Sequence, residues 1–215
     1  MVTLASLGAV AGPAVAGDIH GTVRFNGPAE RLAPLTVTKD NGACGAALPD
    51  ESLLVVSGDL ANVVVTLLGA PGAAPGKVTL DQQGCRFVPH VQVAALGSTL
   101  EILNSDAVLH GVHGWLGRST RFNIPMPAKA ARASAKLDRV GVIQVRCDVH
   151  GWMRAYLVVA DGPAAVSGPD GAFTLRDVPP GRYTLTAWHE RLGEKTAQVT
   201  VPAQGAARAD FTFGG

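Results

Sequence analysis

Cys147-Asp148-Val149-His150-Gly151-Trp152-Met153 places a thiol, an imidazole and a thioether within seven consecutive residues. Before it, Ile143, Val145 and Cys147 alternate with Gln144 and Arg146, the period-two pattern of a strand with one buried face. The Cys147 sulfur is therefore expected to point into an apolar interior at a strand end. A tight loop returns His150, and Met153 opens a second strand on the same parity as Ala155, Leu157 and Val159. Cys and Met are soft ligands, and a thioether beside a thiolate selects copper over zinc or magnesium. A thiolate, two imidazoles and a weak axial Met form the donor set of electron-transfer copper sites, so one more histidine is needed. His110, in Asn104-Ser105-Asp106-Ala107-Val108-Leu109-His110-Gly111-Val112-His113, supplies it.

Other uses of these residues fit less well. Cys147 alone reads as a packed thiol. A structural zinc site calls for paired cysteine spacing, which is absent. A Cys147–His150 nucleophile has poor geometry, because both groups share one tight loop, and no oxyanion motif accompanies them. The reading is therefore not an enzyme.

Outward from this stretch the chain reads as strands almost throughout. Ile19, Val23 and Phe25 recur at even spacing, and Val63-Val64-Val65 with Leu67-Leu68 is a strand buried on both faces. Val91–Val93, Leu100–Ile102, Ile143–Val145, Tyr156–Val159, Phe173–Leu175, Tyr183–Trp188, Gln198–Val201 and Asp210–Phe213 continue the pattern. Turn signals Asp170-Gly171, Pro179-Pro180-Gly181 and Pro202 separate the later ones. The one helical candidate is Pro127–Leu137, rich in Ala, Lys and Arg, read as a solvated crossing loop with a helical turn. Linkers of small residues, 69–76 and 161–165, cut the chain into pieces, of which the outer two are each too short for a sandwich of about seven strands.

The whole chain has 215 residues, 47% hydrophobic, with net charge +1 and 26 glycines, which excludes disorder and points to many turns. No basic run exceeds two residues, so nucleic acid is excluded as a partner. Residues 1–16 carry no charge. Their apolar stretch Leu4–Ala11, then Pro13 and Ala14-Val15-Ala16, reads as the remnant of an export signal with an A-x-A cleavage site. It is too short to span about 30 Å of hydrocarbon, so the mature protein is expected to be periplasmic or otherwise exported, with no membrane span. In an exporting compartment, Cys44 and Cys85 are expected to form a disulfide, leaving Cys147 free for metal.

Phe87-Val88-Pro89, Leu96-Gly97, Leu100-Glu101-Ile102-Leu103-Asn104, His110-Gly111-Val112 and C-x2-H-x2-M follow one another in the order of the cupredoxins, the type 1 blue copper proteins. The chain resembles plastocyanin and amicyanin over roughly residues 77–160, and the short ligand loop is most similar to amicyanin. The resemblance implies a Greek-key β-sandwich holding one copper ion that cycles between Cu(I) and Cu(II). Asn104 matches the family's Asn before the first ligand, whose side chain ties the ligand loops together. His113 falls on the opposite strand face from His110, which argues against a shared ion, whereas His90 follows Pro89 near the expected copper end; both remain possible additional ligands.

Downstream, D-G-x-F-x-L-x-D-V-P-P-G-x-Y-x-L from Asp170 to Leu185 resembles the carboxypeptidase regulatory-like (transthyretin-like) domain. Gly21-Thr22-Val23 and Val63-Val64-Val65-Thr66-Leu67 are similar to that family's preceding half. The expected organisation is all-β. Residues 17–70 and 162–215 would form a discontinuous transthyretin-like sandwich around a cupredoxin domain at 71–161. Such domains serve as spacers or binding modules. Trp188-His189-Glu190 is a polar pair beside an aromatic at a strand end, read as a strand terminus or, more sharply, as a contact with the copper domain or a partner. The expected function is single-electron transfer between redox partners through an exposed edge of His150. The alternative is Cu(I) storage or delivery that also uses His90 and His113.

Overall fold

The computed structural model describes residues 16–28, 32–128 and 131–214. The export segment expected at 1–16 therefore lies outside the described residues except for Ala16. The all-β expectation holds: twenty-one strands surround a single four-residue helix, Asn41–Cys44, among the described residues. No described helix is long and apolar enough to cross a membrane.

Residues 77–160 form two facing sheets. In one, Thr99–Asn104 runs parallel to Lys77–Gln82 and antiparallel to Ala131–Lys136, with Phe87–Val88 beyond Lys77–Gln82. In the other, the order is Ser119–Met126, His110–Leu116, Gly141–Arg146, Arg154–Ala160 and Val91–Ala95. Between the sheets lie Leu80, Phe87, Ile102, Val112, Val145 and Leu157. Their alternation with polar neighbours is what buries one face of each strand. Register then makes the site. His113 pairs with Arg146 antiparallel, so residues just before His113 approach those just after Arg146. His110 and the Cys147 loop meet at that end.

The helical turn expected within 127–137 is replaced by the strand Ala131–Lys136; residues 129–130 lie outside the described residues. The composition favours helix, yet the order Ala-Arg-Ala-Ser-Ala-Lys has period two. Ala131, Ala133 and Ala135 pack on the core, while Arg132, Ser134 and Lys136 face water. Neighbouring strand Thr99–Asn104 supplies six paired residues, and tertiary pairing overrides propensity.

A second core gathers Ile19, Val23, Leu60, Leu67, Phe173 and Leu185 from the two outer parts of the chain. Gly17–Phe25 pairs antiparallel with Ala172–Val178 and parallel with Phe211–Phe213. Val64–Leu68 lies between Ala164–Val166 and Gly181–His189, and the latter continues to Gly193–Val201. Residues 35–48 behave differently from the rest of the N-terminal part. Leu35, Val37, Cys44 and Leu48 pack on the core of residues 77–160. A disulfide between Cys44 and Cys85 fastens them there, as the cysteine arithmetic predicts.

Candidate metal centre

Cys147 ends its strand as the only free cysteine, and it is buried. Its backbone N–H donates to Met153 O at 3.3 Å and the Met153 N–H to His150 O at 3.0 Å, closing the seven-residue loop on itself. The closure turns two of the loop's backbone N–H groups toward the sulfur, and Gly111 on the neighbouring His110–Leu116 strand adds a third. Gly111, Val149 and His150 donate to Cys147 Sγ at 3.4, 3.4 and 3.3 Å. These donors complement the negative charge that a metal-bound thiolate carries.

His110 and His150 present their Nδ1 atoms to that sulfur, at 3.9 and 3.8 Å, and to each other at 2.9 Å. Both imidazoles are fully buried, and His110, Cys147 and His150 form a group able to hold a metal ion. Donors that share one first-row ion, at about 2.0 Å for nitrogen and about 2.3 Å for sulfur, stand roughly 3–4 Å apart, which is the spacing found. Met153, 2% exposed, belongs to the same buried cluster as Cys147.

The outer nitrogens explain why the inner ones face inward. Nε2 of His110 meets Asp106 Oδ2 at 2.9 Å, and Nε2 of His150 meets Asp40 Oδ2 at 2.9 Å. A carboxylate accepts only, so each Nε2 carries its proton and leaves an Nδ1 lone pair for a ligand. Two lone pairs at 2.9 Å repel each other, a repulsion that a cation between them relieves. The donor set therefore fits a cation. Burial also holds the His110 imidazole below its usual range, against the pull of Asp106, and this favours the neutral ring that ligates metal.

The expectation of an exposed His150 edge is overturned. The ring is 0% exposed, because Asp40 caps its Nε2 and Trp152 lies with ring centroids 5.0 Å away. The other candidates stand apart from the cluster. His113 Nδ1 pairs with Asp148 at 3.2 Å, its Nε2 meets Thr120 Oγ1 at 3.2 Å, and its ring stacks on Trp115. His90 pairs with the buried carboxylate of Glu190 and contacts Arg154 O at 3.2 Å. Asn104 is buried, and its Nδ2 group lies within hydrogen-bond distance of the carbonyls of Val108, Met126 and Pro127 at 2.9, 3.1 and 2.8 Å. Its Oδ1 accepts from Asp106 N at 3.0 Å. It thus shapes the loop that carries Asp106 and His110.

Asp40, Asp106 and Trp152 were not singled out in the sequence. Asp106 stands four residues before His110, a usable signal, but Asp40 lies 110 residues from His150 with nothing local to mark it.

Comparison with curated proteins finds no match. Among solved structures, the chain is similar to a Cu-containing nitrite reductase (NirK) from Thermus scotoductus, with 23% identity and a TM-score of 0.37. That match covers 43% of this chain and 24% of the reductase, so this chain spans about a quarter of that protein. A reduced Cu(I) mutant of amicyanin is 21% identical, with a TM-score of 0.35, over 45% of this chain and 98% of amicyanin. A purple cupredoxin from Nitrosopumilus maritimus is 18% identical, with a TM-score of 0.35, over 39% and 99%. The family model that matches is the carboxypeptidase regulatory-like domain, and residues 156–214, which contain the Asp170–Leu185 pattern, are the part of this chain that it identifies.

Proposed function

We propose that this chain binds one copper ion through His110, Cys147, His150 and Met153 and carries single electrons between redox proteins. The observation that supports this best is the convergence of two Nδ1 atoms and one Sγ, 2.9–3.9 Å apart, in the buried interior. Bound there, copper supplies a one-electron couple. The chain supplies the rest: fixed imidazoles, three N–H groups on the sulfur, and exclusion of water. Fixed ligands suit an ion that changes charge without changing neighbours, as in sites with a thiolate, two imidazoles and a weak thioether.

Retention is favoured over delivery. All three donors are at most 5% exposed, and His90 and His113 are engaged with Glu190 and Asp148 rather than lining an exit path. The Cys44–Cys85 bridge supports an oxidising, exported location. We further propose that residues 17–70, apart from the 35–48 segment that packs on the copper domain, and residues 162–215 act as one sandwich beside it, on the grounds that strands of both parts share two sheets.

The Cu(II) protein is expected to show an intense visible thiolate-to-copper band that disappears in Cys147→Ser. A colourless stoichiometric complex, or a band surviving the substitution, rules out this centre. The reduced protein is expected to keep its copper against a moderate chelator. Rapid Cu(I) loss, with no electron exchange with small mediators, would favour the delivery reading.

A further inference from the structure

Behind the two imidazoles runs a continuous link. Asp40 caps His150 Nε2 and starts the short helix, its carbonyl accepting from Ala43 and Cys44 N at 2.9 Å each. Cys44 is bonded to Cys85. The backbone N–H groups of Gly84 and Cys85 donate to the two oxygens of Asp106, at 2.7 and 2.9 Å. Asp106 then holds His110 Nε2, and Trp152 closes the arrangement by donating Nε1–H to Cys85 O at 3.1 Å while lying against His150. Asp40 and Cys85 both carry left-handed backbone, each with φ 54°, a conformation unfavourable for a residue with a side chain. Such cost persists where the surroundings impose it, often at functional sites.

We propose that Asp40 and Asp106 are paired positioning residues for the copper ligands, held in register by the Cys44–Cys85 bridge. The proposal rests on the copper reading above. Each carboxylate fixes one ring's tautomer and rotation, so both Nδ1 atoms face Cys147 before metal arrives. The bridge keeps the Asp40 segment, which is remote in sequence, at a set distance from the Asp106 loop. Asp40 also seals His150 from water, so a partner's ligand or a chelator has no direct approach along that ring.

Two substitutions separate the role of the carboxylate from mere folding. Asp40→Gly removes the acceptor and tolerates φ 54° without strain. Asp40→Asn keeps an acceptor oxygen and also tolerates left-handed backbone. In metal-free protein labelled with 15N at histidine, long-range proton–nitrogen NMR at one fixed pH reads each ring's tautomer. Wild type is expected to show a slowly exchanging Nε2–H on His150. Asp40→Gly is expected to lose it while Trp152 stays in its native environment, and Asp40→Asn to restore it. Copper affinity, read by competition with a chelator, is expected to fall on the order of 10–100-fold in Asp40→Gly, and less in Asp40→Asn. Cys44→Ser/Cys85→Ser is expected to weaken copper and to broaden the Nε2–H signals of both His110 and His150. If wild type binds copper while Asp40→Gly leaves tautomer and affinity unchanged, the positioning role is overturned and the copper reading stands. If wild type binds no copper, the copper reading falls and takes this proposal with it.

Discussion

Asn104 shows how much one side chain can organise. Its amide meets three carbonyls and one N–H, all on the loop and strand end that flank His110. Asn104→Ala leaves these groups short of partners, the Met126 carbonyl in the buried core and the others in partly buried surroundings. Unsatisfied buried groups cost about 1–3 kcal/mol each, partly relieved by relaxation, so a loss of roughly 2–4 kcal/mol is expected in urea unfolding. Copper retention should weaken too, because Asp106, which holds His110, loses the bond to its own N–H. Unchanged stability would mean that water replaces the amide. The residues that donate to metal were legible because their chemistry is rare: a Cys, a His and a Met in one heptapeptide have few joint uses. The residues that aim them were not. A carboxylate on the surface of a sequence looks like any other until the fold brings Asp40 across 110 positions to His150.

Elements were read well where alternation was apolar and poorly where it was not. Ile143–Val145 and Tyr156–Val159 announce strands through large side chains, whereas Ala131–Lys136 alternates alanine with polar residues and carries helical composition. The Gly181–His189 strand poses a different problem, because it ends on a histidine that is 1% exposed. Burial pushes His189 down to about 4, against the pull of Glu190. Its Nδ1 accepts from Arg191 N at 3.2 Å, which requires the ring to be neutral on that atom. The unfolded chain protonates this ring near pH 6.5, and the folded chain resists until about 4. Because the folded value is the lower one, the stability it contributes is present above pH 6.5. It is lost as pH falls toward 4, by on the order of 3 kcal/mol. Urea midpoints of wild type and His189→Gln, followed from pH 7 to pH 4, should converge. Parallel curves would show that another group controls the acid limb.

At the scale of the whole molecule, the question is whether the two cores unfold as one. Their contact is small and apolar at its centre, where Val64 meets Val91 and Val158, with Tyr156 against Trp188 at 5.3 Å between centroids. Glycine-rich and proline-rich linkers flank residues 77–160 on both sides, so apart from the Cys44–Cys85 bridge the chain connections do not fix one core against the other. Beside the apolar contact, His90 from the Val91 side meets Glu190 from the end of the Gly181–His189 strand, with side chains 9% and 3% exposed. The sequence offered Trp188-His189-Glu190 as a strand terminus or a contact with the copper domain, but His90 read as a spare ligand, so the pairing itself was not legible. A buried pair gains little over a well-packed apolar pair, yet removing one member leaves the other stranded. Glu190→Ala is therefore expected to cost on the order of 2–4 kcal/mol, all of it at the contact between cores. The signature is not only lower stability but lost coupling. Tryptophan emission, which includes Trp188 at the contact, should change at lower urea than the visible copper band, which reports the site at Cys147. In wild type the two signals should change together. Coincident transitions in Glu190→Ala would show that Val64, Val91, Val158 and Trp188 suffice to hold the molecule as one cooperative unit, with the buried pair contributing specificity of approach rather than cohesion.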